Sequence, residues 1–135
     1  MKYFLLSIIL AFSALSISLA CSGGVGYIVQ VENLILNSNI LVKCKSNDDD
    51  LGDRHLAYDE NVNWDVCFSG TTQYSCHFYW DSKEQLIDVF NKELAQDCYY
   101  DKDDNNQCYW AAMPGGLYLY NFIKNEWVYR YDWKE

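Results

Sequence analysis

Proline is nearly missing from this sequence: Pro114 stands alone among 135 residues. No linker-like tract and no internal repeat interrupts residues 21–135, so a single ordinary domain is expected there. No Asn-x-Ser/Thr sequence occurs, so N-glycans are not expected. There is no C-x-x-C pair, and the histidines, His55 and His77, stand apart, which speaks against zinc. Neither histidine lies near a nucleophile pattern such as G-x-S-x-G, and Cys-His chemistry would need a free thiol. The chain is therefore not read as an enzyme, and no cofactor is expected. Basic residues are scarce, 10 against 19 acidic ones, for a net charge of −9. Loss of residues 1–20, with Lys2, would make it −10 (9 − 19). Such a surface repels phosphate backbones and anionic membranes, so neither is expected as a partner.

Long apolar runs are confined to the start. Lys2 precedes Tyr3–Leu19, which only serines interrupt, and Ser18-Leu19-Ala20 places small residues at minus three and minus one of a cleavage site. This is the pattern of a secretory signal peptide over residues 1–20, cleaved from a domain of residues 21–135. The rival is an uncleaved anchor, since the stretch is nearly long enough to span a bilayer. No second apolar span follows, so the mature chain is expected to be secreted, extracellular and without stable membrane insertion. A bacterial lipoprotein reading of Cys21 is weak, because Ser18 stands where an aliphatic residue is wanted. Six cysteines in a secreted chain of this size point to disulfides.

Short alternating segments rich in Val, Ile, Tyr, Phe and Trp recur, with polar turns between them. That patterning predicts an all-β fold, a small antiparallel β-sandwich stapled by disulfides. In residues 74–80, Tyr74, Cys76, Phe78 and Trp80 share one face, against Ser75, His77 and Tyr79. In residues 127–133, Trp127, Tyr129, Tyr131 and Trp133 share a face, against Val128, Arg130 and Asp132. Trp64, Val66 and Phe68 face inward, which turns Cys67 outward. Cys108, Trp110 and Ala112 form another such face, and residues 27–33, 40–45 and 117–122 complete the strands. Residues 82–95 disagree. Ser82 with Gln85 forms a capping box, and Leu86, Ile87, Phe90 and Leu94 have helical spacing. Ile87, Val89 and Phe90 also permit a strand.

Val29, Val31, Asn33, Leu41, Val42, Cys44, Lys45, Ser46, Asp48, Asp49, Asp50, Leu51 and Gly52 form a motif that resembles the plant self-incompatibility protein homologues. That small secreted family includes the poppy stigma determinants. Tyr74, Cys76, Phe78 and Trp80 match a later pattern, and Cys108, Trp110, Gly116, Leu117 and Tyr118 another, so the resemblance covers residues 27 to about 122. It implies a secreted β-sandwich with two disulfides and no catalytic centre. The poppy members are similar to ligands: a female-tissue protein is recognised by a pollen membrane receptor, with a calcium response and pollen death. The matching cysteines are Cys44, Cys76, Cys98 and Cys108. Cys44–Cys108 and Cys76–Cys98 are the expected bonds, although sequence does not fix connectivity. Cys21 and Cys67 are extra, and Lys43 stands where the family often has histidine. A tail carrying Cys21 can cross the outer surface to Cys67, giving a third bond. Cleavage after Ser22 would instead remove Cys21 and leave Cys67 free, or available for an intermolecular bond. The resemblance favours a strand over residues 86–91.

Asp48, Asp49 and Asp50, with Leu51 and Gly52, do not fit a calcium loop, since glycine falls at the fifth place. They read as a structural turn: carboxylates accepting turn N–H groups, Leu51 tucking inward, Gly52 at positive φ. Asp101, Lys102, Asp103, Asp104, Asn105 and Asn106 have a closer calcium spacing, but Asn106 replaces the glycine and Ala112 the glutamate. This polar segment between Cys98 and Cys108 is the expected recognition loop. The expected function is recognition: a diffusible ligand binding a cell-surface receptor protein through interstrand loops. Tyr79, Tyr118 and Tyr120 on an outer face could instead stack on glycans. A lectin-like or defence protein is therefore the alternative, and coplanar rings on one open face would favour it.

Overall fold

Alternation along the chain decides which side chains leave water. In β1 (Val25–Asn33), Tyr27, Val29, Val31 and Asn33 are buried, while Ile28, Gln30 and Glu32 are only half-buried. The computed structural model describes residue 21 and residues 24–98 and 106–135. After β1 come β2 (Ile40–Lys45), β3 (Asp50–Leu56), β4 (Asn61–Phe68), β5 (Tyr74–Trp80) and β6 (Lys83–Phe90). A short helix α1 (Lys92–Cys98) precedes β7 (Asn106–Met113), β8 (Gly116–Asn121) and β9 (Glu126–Tyr131).

The strands form a five-stranded sheet, β4-β1-β7-β8-β9, and a four-stranded sheet, β3-β2-β5-β6. The all-β, disulfide-bonded class expected from the sequence is what the chain adopts. Pairing is antiparallel except between β1 and β7, which run parallel with Val29 beside Cys108 and Val31 beside Trp110. No hairpin joins these two strands, so nothing forces them to run in opposite directions. One core lies between the sheets. Val29, Val31, Trp110 and Leu117 come from one side, Val42, Phe78, Ile87 and Val89 from the other. Trp110 also donates its indole N–H to the Val89 carbonyl at 2.9 Å, tying β7 to β6 across the core. Tyr27 donates its hydroxyl to the Ala95 carbonyl at 3.0 Å, fixing α1 to β1.

Asn33 is fully buried yet polar. Its amide donates to the carbonyls of Ser38 at 2.8 Å and Leu56 at 3.0 Å, and its Oδ1 accepts from Ile35 N at 2.8 Å. The side chain thus closes the β1–β2 connection and holds the end of β3. Each bond replaces one that water would supply, which is why a polar group is tolerated there.

Residues 82–95 divide into a strand and a helix. Ser82 sits in the turn between β5 and β6, where Asp81 has φ +51, and so does not cap a helix. Gln85, Ile87 and Val89 face the core and Leu86 is 60% exposed, although helical spacing would have buried it. Pairing with β5, Ile87 opposite Cys76 and Gln85 opposite Phe78, overrides the local helix preference. The helix begins later: Asn91 Oδ1 accepts from Leu94 N at 2.8 Å, an N-cap.

Candidate recognition surface

The disulfides set what is rigid. Cys44 bonds Cys76, and Cys98 bonds Cys108, correcting the expected Cys44–Cys108 and Cys76–Cys98 pairs. The reason is register. Cys44 and Cys76 lie opposite one another on β2 and β5, so their side chains meet on one face. Cys108 lies in the other sheet, and Cys98 reaches it from the last turn of α1, with Cα atoms 5.3 Å apart. Cys21 bonds Cys67 on β4, with Cα atoms 5.1 Å apart, so no cysteine among the described residues is free.

Of the expected recognition loop, Asp101, Lys102, Asp103, Asp104 and Asn105 lie outside the described residues. Asn106 does not belong to an exposed tip. It is 1% exposed at the start of β7, beside Tyr27 of β1, and its amide donates to the Gly26 carbonyl at 3.4 Å. The Cys98–Cys108 bond closes the intervening segment covalently at two buried anchors.

The aspartate motif shapes the β2–β3 connection. Asp50 Oδ1 accepts from Gly52 N at 2.8 Å, Gly52 has φ +77, and Leu51 packs partly against the core. Ser46 N donates to the Asp49 carbonyl at 2.7 Å, closing the turn. Nearby, an open groove of about 370 Å³ is lined by Lys43, Lys45, Asp50, Asp53, Ser75 and His77. His77 Nε2 lies 2.9 Å from Glu84 Oε1, and its Nδ1 lies 3.0 Å from the Tyr79 hydroxyl, whose ring stacks on the imidazole at 4.1 Å. Lys43 faces Asp53 at 3.8 Å. That pair is solvent-exposed, where such pairs are weak.

The outer face of the five-stranded sheet is different. Tyr109 on β7, Tyr118 and Tyr120 on β8, and Trp127 and Tyr129 on β9 all face away from the core. The register shows this: Tyr118 lies opposite Ala111 and Tyr129, and Tyr120 opposite Trp127. The expected single face of Trp127, Tyr129, Tyr131 and Trp133 is therefore corrected. A bulge at Arg130 shifts the register, so Tyr131 and Trp133 pack on the core while Trp127 and Tyr129 face out. One inserted residue reverses the alternation beyond it. Arg130 itself lies 6.0 Å from the Trp110 ring and 3.5 Å from Asp97 of α1. The outer rings meet edge to face: Tyr120 with Trp127 at 75°, Tyr120 with Phe122 at 69°, Tyr118 with Tyr129 at 75°. Tyr129 donates its hydroxyl to Asp132, and this bond, with burial and the Asp132 charge, raises the phenol above its usual pKa. Sequence alternation placed Tyr118 and Tyr120 outside. It missed Trp127 and Tyr129, because nothing local announces the bulge.

Among the described residues no helix is long and apolar enough to cross a membrane. The family model described as plant self-incompatibility protein S1 matches residues 28–133. S-protein homolog 2 of Arabidopsis thaliana is 29% identical over 112 residues, covering 79% of this chain and 68% of that protein. Self-incompatibility protein S1 of Papaver rhoeas is 28% identical over 130 residues, covering 83% of this chain and 89% of the relative. A solved self-incompatibility protein homologue superposes with a TM-score of 0.51 at 13% identity, over 84% of this chain and 98% of that one. Its family is described as widespread, small, highly stable, secreted proteins from plants, and at this identity the likeness speaks for the fold alone. With a match spanning both sheets, from β1 past the end of β9, the chain belongs to the plant self-incompatibility protein S1 family.

Proposed function

We propose that this protein is a secreted, non-catalytic recognition ligand that binds a cell-surface receptor protein through loops held on a disulfide-stapled β-sandwich. The observation that carries the reading is the Cys98–Cys108 bond, which joins two buried residues on either side of the acidic segment Asp101–Asn105. A loop so closed has less freedom to lose on binding, which favours affinity without a deep pocket. Removal of residues 1–20 as a signal peptide fits the Cys21–Cys67 bond, since cleavage after Ala20 keeps Cys21 on the mature chain. The mature charge of −10 (9 − 19) favours a basic patch on the receptor and fast, salt-sensitive association. Family membership and the secreted character of the homologues support this reading. The edge-to-face outer rings do not offer the coplanar platform that a lectin reading calls for.

The test is binding of labelled, refolded residues 21–135 to intact plant cells, before and after mild surface proteolysis. Loss of binding after proteolysis is expected. Binding that survives protease and is competed by wall sugars would overturn the receptor reading in favour of a carbohydrate ligand.

A further inference from the structure

One sheet carries two unlike outer halves. On β4 and β1 the outward positions include Asn61, Asn63, Asp65, Gln30 and Glu32, with Ile28 opposite Asp65 the apolar exception, close to the polar-out pattern of a solvated antiparallel face. On β7, β8 and β9 the same face carries Tyr109, Tyr118, Tyr120, Trp127 and Tyr129. Phe122 joins them through contacts at 5.2 Å with Tyr109 and 4.7 Å with Tyr120. These rings lie outside the core that the two inner faces form. Tyr129 is 47% exposed, and Ile123, at the β8–β9 turn beside Phe122, is 81% exposed. That turn is held in shape: Asn121 Oδ1 accepts from Ile123 N at 3.0 Å and Lys124 N at 2.9 Å. β9 is also the sheet's edge strand, so the cluster is open from the side.

We infer that the aromatic outer face of β7–β9, with Ile123 at its rim, is a protein-docking surface that receives arginine and lysine side chains of a basic partner. Charge complementarity selects this occupant. The charged side chains on the strands' outer face are Glu32 and Asp65, both carboxylates on the β1–β4 half, and Asp132 adjoins Tyr129; at the rim, Lys124 beside Ile123 is answered in sign by Glu126 at the start of β9. Arg130, the nearest arginine in β9, is turned to Trp110 and Asp97 instead. Ring faces attract cations through their quadrupoles, tryptophan most strongly, and Tyr and Trp are the side chains that most often dominate interface energies. A sugar ring would need a flat platform, whereas the neighbouring rings here stand at 69–75° to each other. The inference deepens the receptor-ligand reading and rests on it for the identity of the partner as a cell-surface protein.

The experiment has two arms. In the first, hexa-arginine and cellohexaose are titrated into labelled residues 21–135, and aromatic NMR signals are followed. Hexa-arginine is expected to shift Trp127, Tyr129 and Tyr120, and cellohexaose to leave them in place. Shifts by cellohexaose in place of hexa-arginine, or hexa-arginine shifts confined to other residues, would overturn the inference. In the second, wild type, Ile123→Ser, Tyr129→Ser, Trp127→Ala and the control Leu86→Ser are bound to intact cells. Leu86 is 60% exposed on the other sheet's outer face. The three face variants are expected to lose about tenfold or more in affinity, with Leu86→Ser unchanged. Thermal melts confirm that each variant is folded. If wild type binds protease-sensitive sites and folded Ile123→Ser and Tyr129→Ser bind equally well, the docking face is wrong and the receptor reading stands. If wild type finds no protease-sensitive site, the receptor reading fails, and the ring shifts still decide whether this face takes cations.

Discussion

Cys44 stands directly across the β2–β5 ladder from Cys76, with Cα atoms 4.0 Å apart and both side chains buried. The bond staples the centre of the four-stranded sheet on its core side. It also frees Cys98 to close a much shorter loop with Cys108, a sequence separation of 10 against 32. The double substitution Cys44→Ala/Cys76→Ala is expected to lower stability by about 3 kcal/mol, chiefly by releasing the unfolded chain. Urea unfolding with the other bonds intact measures this. Non-reducing digestion and mass spectrometry should recover the Cys44 and Cys76 peptides joined.

Asn33 carries the second prediction. Its amide donates to carbonyls on either side of β2, Ser38 before it and Leu56 in β3. Asn33→Leu keeps the branching and number of side-chain heavy atoms but leaves those carbonyls and Ile35 N without their partner. A loss of about 3 kcal/mol is expected from unsatisfied buried groups, read as a lower urea midpoint. A midpoint within error of wild type would show that the connection closes without this side chain.

Glu32 gives a pH prediction. Burial and then the nearby Asp59 raise its carboxyl above the usual 4.5. The folded chain therefore holds this proton at pH values where the unfolded chain has lost it. Stability from this group falls as pH rises from about 4.5 through the folded value, and the penalty persists at neutral pH. Glu32→Gln is thus expected to unfold at a higher urea concentration than wild type at pH 7. The difference should shrink to nothing below pH 4, where both states are protonated.

Much of this fold was legible because small β-domains repeat one rule. Period-two alternation placed Cys76, Phe78 and Trp110 inside and turned His77 and Tyr79 outward. It broke where one residue is added, at Arg130, since a bulge is set by pairing between strands and leaves no local mark. Connectivity was hidden for the same reason. Cys44 meets Cys76 only once β2 and β5 pair in a given register, and Cys98 reaches Cys108 only by way of α1, which the strand reading of residues 86–91 did not include. Asn106 looked like loop because its neighbours are polar. Its burial follows from the parallel pairing of β7 with β1, a contact far away in sequence.

The last prediction concerns the acidic segment between Cys98 and Cys108. If Asp101, Asp103 and Asp104 steer encounter with a basic receptor, replacing all three with asparagine removes three of the charges behind the mature −10 (9 − 19) without altering the disulfide that closes the loop. The initial rate of binding to protease-sensitive cell sites should then fall roughly 3- to 10-fold at low ionic strength, with little change in dissociation. In about 0.5 M NaCl the screening length is only a few ångströms, so variant and wild type should bind at nearly the same rate. Equal rates at low salt would remove the electrostatic part of the mechanism. A faster dissociation at every salt concentration would instead mean that these side chains touch the receptor, making the loop a contact surface as well as a guide.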